Sequence, residues 1–213
     1  MRISLILLLF FTCTCAKDKK VDWSADTFSI TASNYPKILR TWTRSKEYYR
    51  NPSRVFIDAV YLSWQLREAR AALLAKNYSW SQAEADAFRE QERQSYNQYH
   101  EFFIKFYTDP KKFNDLNQKN TQWRASLSDN RGGEVIAAPA DFIKVSDGIR
   151  NLTNNERQLY EPLLDDFAMY YRVRFPRLLP DGSPLEPTGP GGRLTLRFSS
   201  PLTKIDLNWI AKP

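Results

Sequence analysis

Cysteine is nearly absent from this 213-residue chain: Cys13 and Cys15 are the two it has, and none follows them. The body of the protein therefore has no thiol nucleophile, no thiolate metal site and no internal disulfide. Histidine is scarcer still, with His100 alone, so a zinc site assembled from several His or Cys ligands is excluded. The G-x-S-x-G elbow, the phosphate-binding glycine loop, the dinucleotide fingerprint and Ser-x-x-Lys are all missing. Residues 3–11 are apolar apart from Ser4, a run too short to span a bilayer as a helix. Nothing here asks for a cofactor or a metal ion.

What the chain does have is a normal complement for a folded domain. Aromatics make up 14% and charged residues 26%, which excludes disordered and collagen-like chains. About 200 residues suffice for one sizeable core. There are 31 Lys+Arg against 24 Asp+Glu, a formal charge of +7. This balance suits anionic lipid headgroups or acidic envelope polymers, or it simply keeps the protein soluble. Nucleic acid would suit the charge too, but it is not an expected partner should the chain be exported.

The N-terminus has the layout of a secretory signal: Met1-Arg2, the apolar run, then Thr12-Cys13-Thr14-Cys15-Ala16. A short apolar region ending in small residues and a cysteine resembles the lipobox of bacterial lipoproteins. The resemblance covers these residues only. It implies a signal peptide over 1–14, lipidation at Cys15 and anchoring in the bacterial envelope, facing periplasm or exterior. Thr14 and Ala16 also fit an ordinary signal peptidase site, which would release a soluble secreted protein. Residues 15–26 then read as a polar tether, and 27–211 as a single domain.

Periodicity predicts the elements of that domain. Residues 28–31 and 37–43 read as short strands. Asn51-Pro52 reads as a helix start, followed by a stripe through Val55, Ala59, Leu62, Leu66, Ala69 and Leu73. Ser81-Gln82-Ala83-Glu84 is a capping box opening a second, largely polar helix antiparallel to the first. From residue 101 the period becomes two, through Phe102, Ile104 and Phe106, then Trp123, Ala125 and Leu127. Asp129 to Gly133 is a hairpin turn, Pro139 breaks the next strand region, and Thr153 to Glu156 caps a short helix. Phe167 to Phe175, Leu194 to Phe198 and Ile205 to Trp209 complete the alternating segments. The pattern predicts an α+β domain: an antiparallel β-sandwich of six to eight strands with an inserted or packed helical hairpin.

Candidate sites are few. His100 reads as a helix-end residue rather than a base. Asp165-Asp166 reads as a polar loop, since neighbours in a strand point to opposite faces. Alternation turns Arg172 and Arg174 outward from one strand and Arg193 and Arg197 from the next. If those strands pair, the four guanidinium groups form one face for phosphate or carboxylate. Residues 176–192 carry five prolines and four glycines and read as an exposed loop, either a partner-binding tip or a tolerated insertion. Trp80, between the two helices, is either an exposed anchor or a staple for the second helix. The expected function is non-catalytic binding or assembly at a membrane surface. The alternatives are a carboxylate-dependent envelope hydrolase and a carrier for a small apolar ligand.

Overall fold

The computed structural model describes residues 19–213 apart from 26, 28 and 52. The signal segment, Cys15 and the first part of the expected tether lie outside the described residues, as do Phe28 and Pro52. The fold is α+β. Two mostly antiparallel sheets of five strands pack across one core, with four α-helices, an arrangement compatible with a sandwich.

The first sheet contains β1 (Lys20–Val21), β5 (Arg124–Ser128), β6 (Glu134–Ala137), β9 (Arg193–Ser199) and β10 (Lys204–Ala211), in the order β1-β10-β9-β5-β6. The second contains β2 (Thr43–Arg50), β3 (Ser53–Tyr61), β4 (Tyr99–Asp109), β7 (Phe142–Asp147) and β8 (Met169–Pro176), in the order β2-β3-β4-β8-β7. All pairings are antiparallel except β1 with β10. Alternate side chains from each sheet meet in the middle. Phe106 packs on Phe198 with ring centroids 6.0 Å apart, and Phe102 packs on Trp209 at 5.2 Å. Leu127, Leu194, Leu196, Leu207, Tyr171, Val173 and Phe175 fill the space between and are fully buried. Among the described residues no helix is long and apolar enough to cross a membrane.

Three expected elements change type. Residues 53–61 form β3, not the first two turns of a helix. Val55, Ile57, Ala59 and Tyr61 are buried while Arg54, Phe56 and Asp58 face the other way, a period of two that the coincidental 55/59/62 spacing conceals. β-Branched and aromatic residues dominate this stretch and favour the pleated surface. The helix begins later, as α2 (Trp64–Tyr78), capped by Ser63, whose hydroxyl accepts from the Leu66 N–H at 3.2 Å. Conversely, residues 37–43 are not a strand. Residues 37–42 belong to α1 (Tyr35–Trp42), whose buried residues Tyr35, Leu39 and Trp42 have the 4/3 spacing of one helical face, and Thr43 opens β2. Residues 29–31 are a turn leading into a short 3-10 segment, not a strand.

Other expectations hold. Ser81 and Glu84 form the capping box of α3 (Gln82–Gln98), and α3 buries only Ala85. Thr153 and Glu156 do the same for α4 (Asn154–Tyr160). The Asp129 to Gly133 turn joins β5 to β6, with Gly132 at φ +95°. Trp80 is half-buried against Phe88 of α3 at 5.2 Å, so it packs on the second helix rather than standing exposed.

The fold starts before residue 27. Val21 is fully buried, and Trp23 packs against Trp42 and Tyr61 at 5.0 and 5.2 Å, so half of the expected tether is structured. Arg44 secures this corner. Its guanidinium donates to the carbonyls of Lys19, Thr41, Thr43 and Asn208 at 2.6–2.8 Å.

Candidate functional site: an open groove on the second sheet

The outer face of the second sheet is divided in two. At one end the helices cover it. Arg67 of α2 donates to Glu101 of β4 at 3.0 Å, and Tyr160 of α4 stacks on Phe103 of β4, with centroids 3.7 Å apart and planes at 2°. At the other end the same face is bare and forms an open groove of about 710 Å³. Register places its floor: Asp58 lies opposite Lys105, and Phe56 opposite Tyr107. One side is formed by Ser45 and Glu47 of β2 and by Arg54 of β3; the other is the loop before β8, with Asp165 and Phe167. These side chains point outward for the same reason that Val55, Ile57, Ile104 and Phe106 point inward.

A charged triplet sits at the centre. The Lys105 ammonium lies 2.7 Å from Asp165 and 3.3 Å from Asp58. Burial lowers the Lys105 ammonium's pKa, but the two carboxylates outweigh it and the net shift is upward. Burial raises Asp165, yet the Lys105 ammonium and the backbone N–H groups of Phe167 and Ala168 hold its carboxyl below the ordinary value. Aromatic rings flank the triplet. Phe56 and Tyr107 are 5.8 Å apart, Arg54 lies over both Phe56 and Tyr49 at 5.1 and 5.4 Å, and Lys111 lies over Phe167 at 5.7 Å. Phe167 is 67% exposed and Tyr49 64%, both large apolar surfaces left in water beside the groove.

Comparison of the chain with protein-family models, with curated proteins and with solved structures finds no match. The site must therefore be read from its own chemistry.

The arginine face expected from alternation does not form. β8 lies in the second sheet and β9 in the first, so Arg172 and Arg174 project from one side of the molecule and Arg193 and Arg197 from the other. Three of the four are also engaged. Arg174 is 3.4 Å from Glu101, Arg172 is 3.9 Å from Glu156, and Arg197 holds Asp206 through two bonds of 2.7 and 2.9 Å. Arg193 is exposed.

The Pro/Gly loop is fastened rather than projecting. Leu185 is fully buried, and its carbonyl accepts from His100 at 2.5 Å. Asn130 pairs with Thr188 through bonds of 3.1 and 3.0 Å. His100 is thus a buried anchor, not a surface helix-end residue.

Two features hide the groove in the sequence. Asp58 sits in the stretch read as helix, which hid its alternation with Ile57 and its place opposite Lys105. Asp165 was noticed, but its partner lies 60 residues earlier in the chain, and only strand register brings them together.

Proposed function

We propose that this is an exported, lipid-anchored protein of the bacterial envelope, a β-sandwich carrying a helical hairpin on one sheet. It binds, without catalysis, a neutral hydroxyl-rich ligand of the carbohydrate class in the groove. The observation that carries the reading is the Asp58–Lys105–Asp165 triplet set among aromatic rings. An apolar ligand would strip water from these charges with nothing in return. An ionic ligand finds little net attraction, because Glu47, Asp58 and Asp165 are faced by Arg54 and Lys105, with Lys46 at the rim shared with the neighbouring hollow. A sugar satisfies both parts: its hydroxyls donate to the carboxylates and accept from the ammonium, and its C–H faces lie on Phe56, Tyr107 and Phe167.

A carboxylate hydrolase is disfavoured by the same triplet. Both carboxylates touch one ammonium, so they lie within about 6 Å of each other, a separation that glycoside hydrolysis uses. That chemistry also needs an apolar pocket around one carboxyl to keep it as the acid, whereas both carboxylates here touch the Lys105 ammonium. A small apolar carrier needs an enclosed cavity, and this groove is open.

Native affinity electrophoresis through gels containing galactomannan, xyloglucan, mixed-linkage β-glucan or dextran tests the reading. At least one polysaccharide is expected to retard the protein. Phe167→Ala should weaken that affinity about tenfold, the value of burying one phenyl ring. Leu178→Ala, at a comparably exposed site on the distant loop, should not. Retardation by none of the four, or retardation indifferent to Phe167, overturns it. Release of new reducing ends from a bound polysaccharide would favour the hydrolase.

A further inference from the structure

The charges at the start of the described chain are arranged differently from those of the groove. Two shallow hollows adjoin there. One is bordered by Lys19, Lys37 and Arg40, the other by Lys19, Arg40, Arg44 and Lys46, and neither has an Asp or Glu among the described residues of its lining. Lys19, Lys37, Arg40 and Lys46 are exposed, and none forms an ion pair among the described residues. Two acidic neighbours among the described residues face elsewhere. Asp22 accepts from the amide and hydroxyl of Ser24, both at 3.0 Å, and Glu47 turns to Arg54 at 3.7 Å.

The fold supplies this collar from three places. Lys37 and Arg40 lie on the exposed side of α1, whose other side buries Leu39 and Trp42. Lys46 comes from β2, the edge strand of the second sheet, and Lys19 immediately precedes β1. Arg44 is occupied with the backbone carbonyls that hold these pieces together, including that of Lys19. The position of the chain's arrival is therefore fixed. Four residue steps separate Lys19 from Cys15, and even fully extended they reach only about 14 Å.

We infer that this collar docks on the anionic headgroups of a phospholipid bilayer. The inference rests on the membrane location in the proposed function, but its chemistry is independent of the acyl group. A lipid on Cys15 would hold Lys19 close to the headgroups, where unpaired bases gain most and screening has had little distance to act. Acidic polymer in solution would satisfy the same charges, but only a bilayer also explains why they surround the point where the chain enters the fold. The groove adjoins the collar at Ser45 and Lys46, so docking leaves the ligand-binding face beside the membrane.

The test uses the chain from residue 15 with Cys15→Ser, which retains every described residue and carries no acyl group. Sedimentation is measured with vesicles of phosphatidylglycerol and phosphatidylcholine, and with phosphatidylcholine alone. Binding is expected only to the anionic vesicles, and it should fall steeply between 0.05 and 0.5 M salt. Lys37→Glu with Arg40→Glu should weaken it at least tenfold, since each base near such a surface is worth about fivefold. Arg124→Glu with Lys204→Glu makes the same change in net charge at the far end of the first sheet and should have a much smaller effect. Equal binding to both vesicle types, no binding to either, or equal losses in the two double variants overturns the inference. Failure of the anchor shows separately, as unchanged fractionation of Cys15→Ala in cells.

Discussion

The Tyr61 hydroxyl donates to Nδ1 of His100 at 3.0 Å, in the middle of the interior of the protein. The partners assign the tautomer: the Leu185 carbonyl can only accept, so Nε2 carries the proton and Nδ1 receives from Tyr61. Arg177 completes the line, donating to the Tyr61 oxygen at 3.0 Å. The neutral imidazole thus joins β3 and β4 to the Pro/Gly loop.

This relationship makes stability depend on pH. Burial, with the Arg177 charge behind it, depresses the pKa of His100 to about 3. Below pH 6.5 the unfolded chain takes up a proton that the folded protein refuses. Stability is therefore full above that point and falls as pH drops, by up to about 1.4 kcal/mol per pH unit. Urea titrations between pH 7.5 and about 5.5 should show this slope before carboxylates contribute. His100→Gln should lower stability at pH 7.5 and flatten the slope; an unchanged slope would assign it to other groups.

The ion pairs beneath α2 and α3 should be costly to break. Arg67 is buried and donates to Glu92 and Glu101 at 2.7 and 3.0 Å. Burial raises the Glu101 carboxyl, but Arg67 and Arg174 outweigh it and the net shift is downward. Arg67→Met leaves two partly or fully buried carboxylates without their main partner and should cost about 3–5 kcal/mol in denaturant unfolding. Arg67→Met combined with Glu101→Met should recover part of that loss.

Reversing Arg172 and Arg174 to Glu should also destabilise the protein. The new carboxylates would face Glu156 and Glu101 instead of neutralising them. A drop in thermal midpoint is expected, so lost binding by this double variant would not by itself locate an anionic partner.

Gly192→Ala is expected to loosen the long loop. A Cβ there would meet backbone atoms of Thr188 at 2.6 Å, and backbone cannot swing aside as a side-chain tip can. The cost should be about 1–3 kcal/mol, with hydrogen exchange rising around residues 185–192.

At the other end of the chain, Cys15→Ala should move the protein from the membrane to the soluble fraction. Retention in the membrane fraction would remove the lipid anchor from the proposed function.

Much of the fold was legible where one signal stood alone. The capping boxes at Ser81 and Thr153 each have a single physical meaning, and both helices begin there. The alternation from Phe102 to Phe106 is equally plain, because one side faces the core along the whole strand. Residues 53–66 were not legible, because a strand and a helix follow each other with a spacing that imitates one long stripe. Pairing was not legible either. Periodicity tells which residues share a face of their own strand, not which sheet receives the strand, and the separation of Arg172 from Arg193 depends on that. The groove shares the difficulty: its charges come from β3, β4 and a loop, and no local pattern links them.

The corner built by Arg44 has one more consequence. Among the described residues, β10 is bordered on its outer side by the two residues of β1, at Ile210 and Ala211. Further along, the Asn208 carbonyl receives the Arg44 side chain, where a neighbouring strand would offer an N–H. A guanidinium thus occupies a carbonyl on the border of the sheet and keeps it from a strand of another molecule. Loss of this side chain would turn a self-contained protein into one able to add strands from its own copies, so that association, rather than unfolding, would be the first sign of damage.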